Sequence, residues 1–578
     1  MQNKRTGSYY TPKILSDFLV QHIFDKYVFS ENVSVLEPSC GDGIFVSALS
    51  NFTAKRLDLD ILDINKEELS KAKKLISKNN KIKFKAHHQD YLDFFLNNDN
   101  KYSLVIGNPP YIKKNNMVDE QIQRCEKIHD RIVTRINGKK SKEKIKNIWP
   151  AFVEAAIMSL NETGVLCFVI PAEILQVIYA KNLRTLIMGE FDRVEVFAFN
   201  ELIFEGIQQD VVALIGIKGI ENINEHGFSF YQVEALDDLK EPRFTEKNNN
   251  VHRTTLDKWT NYILTDEELN FIDEHKNNYQ SIKNYCDKAE VGIVSAANDY
   301  FILSDSDVLE NKLNRLNNIV KPILPKGYTI PDIASFTLND LNQLRATNKR
   351  VNFLHFPDLT KNKLGKIAND YLKKGEEEKL HERYKMTKRK NWYHVPSIWK
   401  SEGLFVKRCH MYPKFFVNEA DTLATDSFYR VITKDEFNIK KLVFSFYNSL
   451  TFVLAELEGR FYGGGVLELT PNEFKNLSIP YSEDITDEQF NILDQMLRNQ
   501  VDIEEILEFT NTVVLQNINT IQLEEIRKKL VLRRLKREEK FKLNMSFVPI
   551  KPKKKIKQDT RLYKRDKTPK FQQSKFVD

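Results

Sequence analysis

The 578 residues contain no apolar run approaching the ~18 residues that a spanning helix needs, so no membrane segment is expected. Only five cysteines are present, at positions 40, 125, 167, 286 and 409. They are scattered and odd in number, with neither zinc-site spacing nor a disulfide framework, which fits a reducing cytoplasm. The first residues, Met1-Gln2-Asn3-Lys4-Arg5, lead into polar sequence rather than an apolar signal core. Excess positive charge is confined to one place. Residues 551–578 hold 11 Lys and Arg against 3 Asp, a net +8, so the other 550 residues of this +7 chain sum to −1. A near-neutral body with a basic arm is expected to meet phosphates, although a solvated, disordered tail has the same composition. At this length one core does not suffice, and two or three domains are expected.

What the chain does have is the string Val105-Ile106-Gly107-Asn108-Pro109-Pro110-Tyr111. Ser103 to Ile106 is too short for a helix and rich in strand formers. The two prolines lack N–H groups, and Pro110 holds Pro109 extended. The result is a stiff corner after a strand, presenting an amide, the Pro109 carbonyl and the Tyr111 ring. Such a corner suits a planar nucleobase with an exocyclic amine. The Asn108 oxygen and the Pro109 carbonyl each accept one N–H, and Tyr111 stacks on the ring. The amine lone pair is thereby aimed at an electrophile by positioning and fixed dipoles. An ordinary turn needs Asn and Pro but no aromatic.

Upstream, Thr11 reads as an N-cap and Pro12 as the first residue of a helix carrying Ile14, Phe18, Leu19 and Ile23, with the Thr11 hydroxyl near any ligand at that helix start. Val33 to Leu36 is a strand that runs through Glu37-Pro38-Ser39-Cys40-Gly41-Asp42-Gly43 into a helix, the nucleotide-binding opening of a doubly wound sheet. A second strand, Arg56 to Asn65, ends in acids placed to hold a ribose diol. Asp63 is preferred because Asn65 then caps the next helix and Ile64 can flank an adenine; Asp60 is the fallback. A third strand ends at His88-Gln89-Asp90-Tyr91, where Asp90 can accept an adenine amino group and Tyr91 can stack on it. His87 and His88 lack partners at metal spacing, read as polar loop residues, and no metal is expected.

A Thr-Pro helix, Glu-Pro-Ser-Cys-Gly-Asp-Gly, Asp63, Asp90 and Asn-Pro-Pro-Tyr, in that order, resemble the gamma class of N6-adenine DNA methyltransferases, the TaqI-like enzymes of restriction–modification systems. The resemblance implies a class I S-adenosylmethionine-dependent fold: a Rossmann-like α/β domain with a seven-stranded mixed sheet, an α+β target-recognition domain and a helical C-terminal segment. It implies that Thr11, Glu37, Ser39, Asp63, Ile64, Asp90 and Tyr91, with Cys40 and Gly41 of the loop, surround S-adenosylmethionine. It also implies that Asn108, Pro109, Pro110 and Tyr111 hold the target adenine, on which Phe204 stacks. The partners implied are double-stranded DNA and a cognate endonuclease that is not stably bound, for a monomeric, cytoplasmic, adenine-specific enzyme (EC 2.1.1.72).

The expected divisions are 1–250 for catalysis, 251–485 for target recognition, 486–545 for helices and 546–578 for a disordered DNA-tracking arm. Basic residues at 112–146 form a candidate lid over DNA phosphates. Ile148 to Leu160 reads as an amphipathic helix, and Val291 to Leu303 as a β-hairpin. Arg389, Lys390, Lys407 and Arg408 are candidate base readers. Two other enzyme readings compete. One is a protein glutamine or RNA N-methyltransferase with the same corner, though such enzymes are usually smaller. The other is a bifunctional restriction–modification enzyme, for which Pro357-Asp358 with Glu377-Glu378-Lys379 is a weak nuclease match and no nuclease domain fits before Thr11. A non-catalytic DNA-binding subunit is a third reading, opposed by the intact Asn108 and Tyr111.

Overall fold

The computed structural model describes residues 10–52, 55–76, 81–137, 145–199, 201, 203–204, 210–222, 225–241, 245–250, 258–259, 264–462 and 465–546. The basic arm after 546 and Lys139, Lys140, Lys142 and Lys144 of the candidate lid lie outside these residues. Among the described residues no helix is long and apolar enough to cross a membrane.

The first half is a mixed α/β layer structure. Strands β1 (Asn32–Glu37), β2 (Arg56–Asp63), β3 (Ile82–His88), β4 (Tyr102–Gly107) and β5 (Leu160–Pro171) run parallel. Strands β6 (Arg193–Phe199), β7 (Val211–Ile217), β8 (Gly227–Val233) and β9 (Thr245–Asn250) complete the order 3-2-1-4-5-7-6-8-9. β7 is antiparallel to both β5 and β6. The sheet thus has nine strands, not the expected seven. The reason is that β6, buried along its whole length, cannot stand at an edge. β8 covers it in parallel register, burying Phe228 and Phe230 and giving Ser229 to Arg193 at 2.5 Å.

From β1 the chain builds outward through β2 and β3, then returns to lay β4 on the other side of β1. Ligand crevices form at such a reversal, beyond the carboxyl ends of the strands. Here those ends are Glu37 and Gly107.

Helix α1 (Lys13–Lys26) buries Leu15, Leu19, Val20 and Ile23 in this half's core. Its position is also set by charge. Glu195 of β6 is fully buried and hydrogen-bonds His22 (2.7 Å), Lys26 and Arg193 (3.1 Å). Burial opposes its charge, but His22 and Lys26 hold the carboxyl well below the usual range. Beyond α1, the chain forms α2 (Ile44–Phe52), α3 (Lys66–Ile76), α4 (Tyr91–Asn97), α5 (Asp119–Asn137) and α6 (Trp149–Met158). α6 is not amphipathic as expected: Trp149 and every residue from Ala151 to Ile157 are buried, since it packs against both the sheet and α5. The candidate lid is a docked excursion. Its neck is closed by Ile148 N–H to the Ile112 carbonyl (3.0 Å) and Lys114 N–H to the Lys146 carbonyl (2.9 Å). Cys125, Ile128 and Ile132 of α5 are buried, and His129 pairs with Glu154 at 2.7 Å.

The second half has three small sheets around other apolar clusters. The expected hairpin at 291–303 is absent. Strand Cys286–Val291 pairs with Phe428–Thr433, and Ile302–Leu303 pairs with Asn352–Leu354, so each strand finds a distant partner. The helices Asp487–Arg498, Ile503–Val514 and Thr520–Ser546 bury Leu493, Leu507 and Leu523 in the same cluster as Leu264, Phe405 and Tyr429. Arg534 of the last helix is 1% exposed, pairs with Glu456 at 2.8 Å and donates to the His410, Gly465 and Met411 carbonyls. Its neighbour Arg533 lies over Phe230 of β8, 5.8 Å from the ring centre, and so bridges the two halves.

Candidate active site

Ser39, in the loop after β1, donates from its hydroxyl to the Asn108 backbone carbonyl at 3.0 Å. This fixes the corner after β4 from the neighbouring strand. The Asn108 amide is gripped as well: Nδ2 donates to the Thr11 hydroxyl at 3.2 Å, and the Tyr111 hydroxyl donates to Oδ1 at 2.7 Å. The same phenol lies 2.9 Å from the Val169 carbonyl of β5. Pro109 is buried and Pro110 half-buried, as befits a corner wedged between strands. The Tyr111 ring meets Phe204 with centres 6.3 Å apart and planes at 52°. Residues 11, 39, 108, 111 and 204, far apart in sequence, therefore form one cluster.

Thr11 does not cap α1. Pro12 occupies the N-cap position, the helix starts at Lys13, and no side chain caps it. The Thr11 side chain is turned inward to Asn108 instead.

A second cluster lies immediately under the first. A Cβ on Gly107 would come within 3.7 Å of Glu37 Cγ and 3.5 Å of Pro38. Glu37 is 1% exposed, and its Oε2 has no hydrogen-bond partner. Burial pushes its carboxyl well above the usual range, and the nearby Asp42 and Asp63 carboxylates push it further. A buried acid without a partner beside two others is a receptor for positive charge.

Above it, Gly41 and Gly43 turn the loop at φ +51° and +86°. Gly43 also has no room for a side chain, because a Cβ would stand 2.9 Å from the Ala72 backbone of α3. Asp63 binds this loop to the end of β2. Its Oδ2 accepts the Gly41 N–H (2.9 Å) and its Oδ1 the Asn65 N–H (2.7 Å), and each oxygen keeps a lone pair. Asn65 caps α3 by accepting the Glu67 N–H at 2.9 Å. Ile64 beside it is 57% exposed, an apolar side chain left open over the loop. Asp60 is otherwise engaged, with Tyr102 donating to it at 2.8 Å and His87 bonded at 3.1 Å. His87 and His88 close strand β3 rather than lying in a loop. Cys40 is buried and hydrogen-bonds through its N–H to the Leu62 carbonyl (2.9 Å); burial raises its thiol far above the ordinary value, so it is inert packing.

Asp90 caps α4 through the Leu92 N–H (2.8 Å) and reaches Arg124 of α5 at 3.4 Å. Tyr91 departs from expectation. It is 1% exposed, its ring packs on Phe152 with centres 5.2 Å apart, and its hydroxyl faces Ser159. As the first residue of α4 it points into the core, so it cannot offer a face to a ligand. Tyr10 was missed by the sequence reading. It is 55% exposed and stands over Gly41, where a Cβ would meet its ring at 3.9 Å. Its only signal is its place immediately before Thr11.

Of the candidate base readers, Arg389 is committed to the Val294, Ser295 and Trp392 carbonyls. Lys407 and Arg408 both pair with Glu468, at 3.1 and 2.7 Å, whereas Lys390 is exposed.

Residues 32–204 match the family model of the Eco57I restriction-modification methylase, and residues 256–515 match that of the type II methyltransferase M.Eco57I C-terminal domain. The chain is similar to the type II methyltransferase M.AccI of Acinetobacter calcoaceticus, 23% identical over 81% of this chain and 84% of that protein. It is also similar to M.BanIII of Aneurinibacillus aneurinilyticus, 21% identical over 76% of this chain and 82% of that protein. A solved DrdV–DNA complex aligns with 86% of the chain, which spans only 57% of that longer protein, at 13% identity and a TM-score of 0.49.

Proposed function

This chain is a DNA methyltransferase of the restriction–modification kind, and from that premise we propose that it transfers the methyl group of S-adenosylmethionine to N6 of an adenine extruded from duplex DNA. The observation that carries this reading is the gripped amide of Asn108 lying directly over the unpartnered, buried carboxylate of Glu37.

The residues present fit the cofactor. Glu37 offers an anionic partner for its positive charge, Asp63 two acceptors at the end of β2 for a ribose diol, and Ile64 an open apolar face for the adenine. Gly41 and Gly43 keep the backbone of the loop free of side chains. The cofactor supplies an electrophilic methyl on a sulfonium; everything else falls to the chain. The target base is flipped out because N6 is not accessible within the stack, at a cost of a few kcal/mol. Tyr111 and Phe204 are the rings that receive it. A base between them needs roughly 7 Å between ring faces, so the present tilt has to open. Asn108 Oδ1 and the Pro109 carbonyl accept the two N6 protons and turn the nitrogen lone pair out of the ring plane. One N6 proton is released to water once the new N–C bond has formed. No general base is required at the start, since the neutral amine is the nucleophile.

Residues 1–250 are assigned to catalysis and 251–485 to target recognition, supported by a division of the apolar cores between Trp259 and Leu264. The helices of 486–545 are assigned to the recognition half, whose core they share. Asn108→Ala is expected to bind S-adenosylmethionine as the parent does and to lose methyl transfer to DNA by at least about a thousandfold, because acceptor geometry and base positioning vanish together. Retained turnover in a radiolabelled-methyl assay rejects the mechanism.

A further inference from the structure

An amide is a choice between two orientations. Turning Asn108 by half a revolution about its last torsion exchanges carbonyl for NH2 with hardly any change of shape. In the wrong orientation its NH2 would face the substrate's own NH2, donor against donor. The backbone cannot make the choice, since Ser39 holds only the Asn108 main-chain carbonyl. Tyr111 cannot make it either. Its phenol has one proton and two neighbours, Asn108 at 2.7 Å and the Val169 carbonyl at 2.9 Å. It can give that proton to Oδ1, or give it to Val169 and accept from Nδ2.

We infer that Thr11 is a positioning residue whose hydroxyl takes the Nδ2–H of Asn108 and so keeps Oδ1 turned toward the reacting amine. This rests on the methyl-transfer reading above and departs from the expected role of Thr11 as a cofactor contact. When a base is bound, Oδ1 accepts from N6 and Nδ2 needs an acceptor on its other side. Thr11 Oγ1 stands there at 3.2 Å. Thr11 is 5% exposed, so water does not readily replace the hydroxyl. Its place is set from afar. Pro12 fixes the turn into α1, and α1 is held by Leu15, Leu19 and Ile23 in the core and by the His22 and Lys26 bonds to Glu195.

Thr11→Val keeps the shape and removes the acceptor; Thr11→Ser keeps the acceptor. In full-length protein, the single-turnover rate at saturating S-adenosylmethionine and DNA should fall about tenfold or more in Thr11→Val and return to near the parent's value in Thr11→Ser. Affinity for S-adenosylhomocysteine should stay within about twofold of the parent in both, which also reports that the fold is intact. If the valine variant does not fold, Thr11→Ala carries the same comparison with Thr11→Ser. An unchanged rate in the variant lacking the hydroxyl overturns the inference. So does a loss seen only in cofactor affinity and erased at saturation, or a serine variant as slow as the valine. A parent protein that transfers no methyl to DNA adenine sinks the function itself, a failure distinct from any of these.

Discussion

Single side chains divide into those a local string reveals and those it cannot. Asn108, Tyr111 and Asp63 are legible because their neighbours in sequence set their geometry: prolines make the corner, and a strand end followed by a capping Asn places the acid. Tyr91 and Thr11 are not, because their roles depend on which way one residue turns at a helix start. A tyrosine one position after a cap looks the same in sequence whether it faces ligand or core. Glu37 lends itself to a pH test. Its carboxyl is raised in the folded, cofactor-free protein by burial first and by Asp42 and Asp63 second. The folded state therefore holds this proton more tightly than the unfolded chain, and the group lowers stability as pH rises above the ordinary carboxylate range. A bound cation needs the ionised form. Thermal stabilisation by S-adenosylmethionine should thus grow with pH across that window, and Glu37→Gln should abolish the growth. A variant with the parent's slope would show that Glu37 is not the group being neutralised.

Elements show what local pattern leaves out. The opening strands and their parallel order follow from strand–glycine–helix alternation, but the count of nine does not, because β8 and β9 are recruited only by the buried outer side of β6. The supposed lid is a helix whose apolar side finds a core, and the supposed hairpin is two strands with distant partners. Within the glycine loop, two residues of one type serve two purposes. Gly43→Ala combines a positive φ, costing about 1–2 kcal/mol, with a backbone collision at 2.9 Å from Ala72. It should cost more than that range and weaken cofactor binding. Gly41→Ala meets nothing nearer than the Tyr10 ring at 3.9 Å and should cost only the conformational part. Urea melts of the two variants, compared side by side, should differ; equal losses would mean that the α3 contact does not constrain the loop.

The molecule as a whole couples a catalytic half to a recognition half through few but buried links, among them Arg533 over Phe230 and the ring of Trp259 against Phe228 at 5.2 Å. Composition foretold more than one core. It did not foretell that the last helices belong to the second, because amphipathic spacing says that a helix is covered and not by what. The basic arm is visible only as charge. Deleting 545–578 should weaken binding to all DNA sequences alike and flatten the dependence of affinity on salt, as fewer counterions are displaced. Unchanged salt dependence would leave the arm without that role. The most direct measurement is product analysis. Full-length protein is incubated with duplex DNA and S-adenosylmethionine carrying a labelled methyl group, and the DNA is digested to nucleosides. The label is expected in N6-methyladenine, at one recurring sequence, and to be absent with Asn108→Ala. Label in cytosine, in protein or nowhere would contradict the assignment of the Asn108 corner as the holder of an adenine amine.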